Sequence, residues 1–202
     1  MADPLFQAPT LLVSQKAKLI ELQNEYAVLD VDANQIGAVR QVGQTNLKKV
    51  ARLVSSLDQF MTHELEVVDA SGAVRLKLVR PRKFRKSKVE VYAPNGALIG
   101  RIVQLNMIGK IRFALEDGQG NQIGSLNGQN WRAWNFSIED GNGAEIATIN
   151  KTWEGLAKTL FTTADNYRVE RNVISAEPLN SLVLAAALAV DTALKQDARG
   201  LG

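Results

Sequence analysis

The chain of 202 residues contains no cysteine. Disulfides, thiolate nucleophiles, cysteine-based zinc sites and cysteine lipidation are therefore excluded. Histidine is almost as scarce. His63 stands alone, which removes multi-histidine metal sites and leaves any histidine-centred triad resting on one residue. Long hydrophobic runs are also missing. The longest, Leu182 to Val190, has nine residues, against the roughly 20 that a spanning helix needs. Polar Asn180, Ser181 and Asp191 flank it, so it reads as a buried core helix. The start, Met1-Ala2-Asp3-Pro4-Leu5-Phe6, has no positive stretch ahead of an apolar core, so no signal peptide is expected. A cytosolic protein agrees with this and with the lack of cysteine. Neither sign of charge dominates: 24 Lys and Arg face 21 Asp and Glu, for a net +3. Length permits one large domain or two small ones. It suffices to bury a core without covalent staples.

What the sequence does contain is a repeat, and repeats decide architecture before anything else. Val67-Val68-Asp69-Ala70-Ser71-Gly72 returns as Val91-Tyr92-Ala93-Pro94-Asn95-Gly96, as Leu115-Glu116-Asp117-Gly118-Gln119-Gly120 and as Ile138-Glu139-Asp140-Gly141-Asn142-Gly143. A looser early copy runs from Val28 to Gln35. Asp, Asn and Gly tolerate the positive φ of tight hairpin turns. Phe113 and Leu115 before one turn, Ile123 and Leu126 after it, alternate as strands with one buried face do. Phe136, Ile138, Ile146 and Ile149 repeat this in the next unit. Successive hairpins must close into a barrel or stack as a sandwich, because open edges invite aggregation. A solenoid ranks lower, since each unit has one turn between two strands and no repeating helix.

Two segments break the strand pattern. Asn46 to Phe60 has apolar residues at Leu47, Val50, Leu53, Val54 and Leu57, a helical spacing, with Asn46 placed as N-cap. Pro178 to Gln196 is alanine-rich and apolar nearly all round. Such a helix is buried in protein or lipid. A β shell followed by one apolar helix suggests a helix threaded through a barrel.

At Ile149-Asn150-Lys151-Thr152-Trp153-Glu154-Gly155, and on through Phe161 to Asp165-Asn166-Tyr167-Arg168-Val169, the chain resembles the phospholipid scramblases. Ile36-Gly37-Ala38-Val39-Arg40-Gln41 and Ile99-Gly100-Arg101-Ile102-Val103-Gln104 resemble that family's hairpin repeat. The resemblance extends to the tubby-like superfamily and the LURP-one-related proteins. It implies a mainly β fold: a closed antiparallel barrel of about twelve strands around a central helix, compatible with barrel closure. On this basis residues 1–9 are a tail and 10–197 one barrel domain. The central helix spans 179–196, and residues 198–202 form a second tail. The palmitoylated, proline-rich arm of animal relatives has no counterpart here. The family's calcium loop is also depleted. Thr163 replaces its first acid, leaving Asp165, Asn166 and Glu170 as the candidate ligands, with Arg168 and Arg171 opposing them. Calcium favours six to eight oxygens with several carboxylates, so any calcium site here is weak.

The sharpest charge feature is Arg80-Pro81-Arg82-Lys83-Phe84-Arg85-Lys86-Ser87-Lys88, in which six of nine residues are basic. Removing those six leaves 18 basic residues against 21 acidic ones, so this stretch alone makes the chain basic. Arg80, Arg82, Lys83, Arg85, Lys86 and Lys88, with Phe84 for insertion at the interface, are the candidate binders of an anionic phospholipid surface. The plain alternative is a solvated basic loop. The tubby-like resemblance favours phosphoinositide-like headgroups, with a protein partner at the membrane surface as the other option. Calcium-stimulated lipid scrambling and nucleic-acid binding are the alternatives, the latter disfavoured by the nearly balanced charge. Gly118-Gln119-Gly120 and Gly141-Asn142-Gly143 precede no helix, so they are turns and not phosphate loops. Asp117, Glu139 and Asp140 recur with the repeat, which marks turn chemistry. Of Trp131 and Trp134, three residues apart, one is expected in the core and one at the surface. His63 beside Glu64 is expected in a surface or pairing role. The expected protein is therefore no enzyme. It is a cytoplasmic binding module, peripheral at the inner membrane face.

Overall fold

A computed structural model of the chain describes residues 3–15, 24–42, 63–81, 87–106, 110–128, 135–150 and 166–197. Helix α1 (Pro4–Gln7) is followed by β1 (Thr10–Gln15), β2 (Asn24–Leu29), β3 (Gln35–Gln41), β4 (His63–Asp69), β5 (Val74–Arg80) and β6 (Lys88–Tyr92). Then come β7 (Leu98–Gln104), β8 (Arg112–Asp117), β9 (Gln122–Gly128), β10 (Asn135–Asp140), β11 (Glu145–Asn150), β12 (Asn166–Arg171) and helix α2 (Leu179–Asp197). Neighbours in sequence pair antiparallel from β2 through to β12. β1 closes the ring by pairing with both β2 and β12. The expected twelve-stranded closed barrel is what forms, and closure leaves no free sheet edge.

The repeat is built at five hairpins. In each of the units at residues 69, 93, 117 and 140 the fourth residue is a glycine at positive φ: Gly72, Gly96, Gly120 and Gly143, between 83° and 91°. Gly72 N–H donates to Asp69 O at 2.9 Å, and Asp69 N–H donates to Ala73 O at 3.0 Å. The strand pairing shifts register just before every one of these turns, at Val28/Leu29, Val67/Val68, Val91/Tyr92, Leu115/Glu116 and Ile138/Glu139. A tight turn plus an αL residue forming a bulge is a standard three-residue hairpin solution. In the early copy, Ala33 occupies the glycine position at φ 64°. The aspartates do not supply the positive φ. Their carboxylates do the turning instead, by accepting main-chain N–H groups.

The core lies inside the ring. Leu76, Leu78, Val91, Ile102, Leu115, Leu126, Ile138 and Val169 are all at most 2 % exposed. α2 runs through this interior. Every residue from Asn180 to Leu188 is buried, on all sides of the helix. Its Leu182 lies where a Cβ on Gly100 would meet it at 3.1 Å, so a bare β7 backbone lets the helix approach. The outer wall is the reverse. Arg40 Nη2 lies 2.8 Å from Glu66 Oε2, and Lys88 Nζ lies 2.8 Å from Glu90 Oε1. Arg101 and the Tyr92 hydroxyl also converge on Glu90. Membrane-spanning barrels carry an apolar band outside and polar groups inside. This barrel has the opposite polarity.

Candidate functional site

The up-and-down path sorts all connections to two ends. The five hairpin turns lie at one end, which we call the turn end. The connections over residues 16–23, 43–62, 81–87, 105–111, 129–134 and 151–165 leave and enter strands at the other, the loop end. β12 runs toward the turn end, so α2 starts there and points to the loop end. The basic run 80–88 therefore joins β5 to β6 at the loop end, and the Trp153 block and Asp165 fall between β11 and β12, whereas Glu170 sits near the turn end of β12.

Of the basic run, Arg82, Lys83, Phe84, Arg85 and Lys86 lie outside the described residues. Its flanks differ from one another. Arg80 ends β5 in phase with inward-facing Leu76 and Leu78 and is 8 % exposed. It stands at the barrel's inner rim, not on its outer surface. Next to it in the ring, Ser87 is buried and donates its N–H to Gln104 Oε1 at 3.0 Å, while Gln104 N–H donates to Ser87 O at 2.9 Å. This reciprocal pair pins the start of β6 to the end of β7. Lys88 faces outward, with its ammonium on Glu90. That contact and the Tyr92 hydroxyl hold the Glu90 carboxyl below its ordinary range against the opposing effect of partial burial.

Two of the three calcium candidates lie among the described residues. Asp165 lies outside the described residues. Asn166 and Glu170 sit in one extended strand, β12. Four residues of strand separate their Cα atoms by about 13 Å. Glu170 Oε1 is instead 2.6 Å from Arg168 Nη2. Among the described residues no group of three or more acids or histidines forms a metal-ligating cluster. Trp131, Trp134, Trp153 and the helical stretch 46–60 fall outside the described residues. His63 opens β4, in register with Arg80.

The turn end has its own electrostatics. Asp30 Oδ1 accepts from Asp32 N–H and Asn34 N–H, both at 2.9 Å. Asp69 accepts from Ser71 and Ala73, Asp117 from Gln119 and Asn121, and Asp140 from Asn142 and Ala144. Donors aimed at a carboxylate favour its charged form. All four carboxyls are accordingly held below the ordinary aspartate value of 3.8: Asp30 and Asp117 chiefly by the Asn34 and Asn121 side chains, Asp69 by the Ser71 hydroxyl, Asp140 by the Ala144 N–H. This end is negative.

The sequence model of the Scramblase family matches residues 1–194. This chain belongs to the scramblase family. Among curated proteins, this scramblase-family chain is similar to Altered inheritance rate of mitochondria protein 25 of Saccharomyces cerevisiae. The two are 22 % identical over 221 residues, covering 91 % of this chain and 67 % of the yeast protein. A protein of Arabidopsis thaliana solved by X-ray crystallography shares the fold with TM-score 0.54 at 15 % identity, over 94 % of this chain and 95 % of that one.

Sequence reasoning missed one group of residues. The stretch read as an N-terminal tail includes α1, which packs on the turn end with Leu5 fully buried. Arg171, read as a charge opposing calcium, is 6 % exposed and serves α1 instead. Its Nη1 donates to Ala8 O at 2.8 Å and its Nη2 to Leu5 O at 3.0 Å. Burial lowers its pKa to about 10, with Glu177 working the other way. A signal for α1 was present: Asp3-Pro4 is an N-cap followed by proline at the first helical position.

Proposed function

We propose that this scramblase-family barrel is a binding module, not an enzyme, that docks its loop end on anionic phospholipid headgroups at the cytoplasmic face of a membrane. One observation carries the proposal: opposite charge at opposite ends of a rigid barrel. Four ionised aspartates sit in the turns, while Arg82, Lys83, Arg85 and Lys86 belong to the stretch that joins β5 to β6 at the other end. Such a separation orients a molecule in the field of an anionic surface before contact. A phosphoinositide-like headgroup, with several phosphates, matches a dense basic run better than a singly charged lipid does. Family membership also supports transbilayer lipid movement. Among the described residues, an interior filled by α2 and a charged outer wall offer lipid tails no apolar path, so surface binding is the reading we favour.

Co-sedimentation with vesicles tests it. Binding should require anionic lipid and weaken as salt rises. Each basic group near such a surface contributes about 1 kcal/mol. Replacing Arg82, Lys83, Arg85 and Lys86 together by Ala should therefore weaken binding by roughly a thousandfold. Equal binding to neutral vesicles, or an unchanged affinity in the quadruple variant, overturns the proposal. Fluorescent-lipid flip rates equal to those of protein-free vesicles are expected alongside.

A further inference from the structure

We propose that the turn end carries a peptide-recognition site, filled in this structure by the chain's own Asp3–Ala8, and that its ligand chemistry is an acid–proline–leucine segment. The site lies at the opposite end from the proposed lipid surface and does not depend on it. Residues Asp3 to Pro9 precede the first strand. They are held the way a bound peptide is held. Arg171 and Asn180, both buried, donate from their side chains to three main-chain carbonyls: Leu5 and Ala8 from Arg171, and Phe6 from Asn180 Nδ2 at 3.0 Å. Arg171 N–H adds a fourth bond to Pro9 O at 2.7 Å. Carbonyl contacts are blind to sequence. They fix the path of whatever segment lies there.

Selectivity comes from two side chains. Leu5 is 0 % exposed and lies over Gly37, where a Cβ would come within 2.7 Å of Leu5 Cδ2. The bare glycine makes the socket. Asp3 Oδ1 accepts from Leu5 N–H at 3.0 Å, and Asp3 Oδ2 makes a 2.5 Å charge contact with Arg75 Nε on β5. Pro4 then starts the turn with its φ already set. A single four-residue turn has no stability of its own in water, so its conformation is imposed by the site. An apolar anchor in a socket, with a short helical turn laid in a groove, is a known mode of peptide recognition. The site also favours staying filled. Were the segment to leave, the buried Arg171 guanidinium would lose both its acceptors. A segment of the same chemistry presented in trans would restore them.

The test uses the full chain. Leu5→Asp removes the anchor and leaves every strand residue in place. The probe is a labelled synthetic peptide of residues 1–9. It should bind the Leu5→Asp variant at least tenfold more tightly than the wild type, whose own segment competes at an effective concentration in the millimolar range. Replacing Leu by Ala, or Asp by Asn, within the peptide should each cost at least tenfold. Equal binding to both proteins, or to neither, overturns the proposal. So does loss of cooperative unfolding in the variant, which would mean that the barrel cannot form without the segment. In the wild type, hydrogen exchange gives a second readout. The Ala8 amide, bonded to Pro4 O at 2.9 Å, should exchange at least a hundredfold faster than the amides of Val169 and Leu126. Equal protection overturns the proposal as well.

Discussion

The two ends of the barrel are built on different rules. At the turn end each hairpin reuses one device: a carboxylate or amide accepting main-chain N–H groups, a residue at positive φ, and a bulge on the strand that leaves the turn. The buried start of α2 and the side chain of Leu5 fill the space beneath. At the loop end the inner rim becomes polar with Arg80, Ser87 and Gln104. The contrast separates tasks. The hairpins of one end fix the register of five strand pairs, and the other end carries the basic run.

That division predicts unequal responses to substitution. The largest effect should come from Leu182, fully buried in α2 near the turn end. Leu182→Asp puts an unpaired charge in the interior, where desolvation costs several kcal/mol. With only about 5–15 kcal/mol of total stability in a typical domain, the variant should lack a cooperative thermal transition by circular dichroism. Lys88→Ala, at the loop end of β6 with only a half-exposed ion pair to lose, should cost less than about 1 kcal/mol. If the two variants melt alike, the division is wrong.

An intermediate effect is expected at the turns. Gly72 has a φ of 85°, and a Cβ there would meet nothing within 4 Å. Gly72→Ala therefore isolates the backbone strain, about 1–2 kcal/mol, less up to about 1 kcal/mol regained from a stiffer unfolded chain. The urea midpoint should fall modestly, with an unchanged slope. No change would mean that the turn is not under conformational demand.

Much of the turn end was legible in the sequence, because each of its rules is local. Glycines at fixed offsets from the aspartates mark the hairpins, and the same four glycines are the ones at positive φ. The apolar Pro178 to Gln196 run marks the helix. The bulges were not legible. The bulge on β11 places Ile146 and Ala147 both in the core, which violates simple alternation, because a register shift depends on the partner strand. α1 was obscured for a different reason. Four residues carry no periodicity, and its anchors Arg171 and Asn180 lie more than 160 positions away. Asn166 and Glu170 suggested one loop by their spacing in sequence, whereas pairing with β1 and β11 stretches them apart.

Acid should act on the turn end through its four aspartates. The four turn aspartates have folded pKa values below the ordinary 3.8. A depressed carboxyl stabilises the fold fully above its unfolded value, and that contribution is lost as pH falls through the folded value. The urea midpoint should thus be insensitive to these groups from pH 7 to about 5 and decline below about 4. Replacing Asp30, Asp69, Asp117 and Asp140 by Asn keeps an acceptor oxygen but removes the titration. The decline should become shallower in that variant. An identical decline would assign acid sensitivity elsewhere.

The smallest predicted effect is a gain, and it tests the turn rule at its one irregular copy. Ala33 stands where the other hairpins have glycine, at φ 64°. An alanine held in the left-handed region costs about 1–2 kcal/mol, because its Cβ crowds the following carbonyl. Glycine avoids that cost but has more freedom to lose on folding, about 0.5–1 kcal/mol. The difference favours glycine by about 0.5 kcal/mol. Asp30 is unaffected by the change, since it accepts from the N–H groups of Asp32 and Asn34. Ala33→Gly should therefore raise the urea midpoint slightly. In a chain of this size the matching rise in melting temperature is about 1–2 °C. A destabilised variant would mean that the β2–β3 turn relies on the stiffness of alanine. The early copy would then be a hairpin of its own kind and not a weakened member of the repeat.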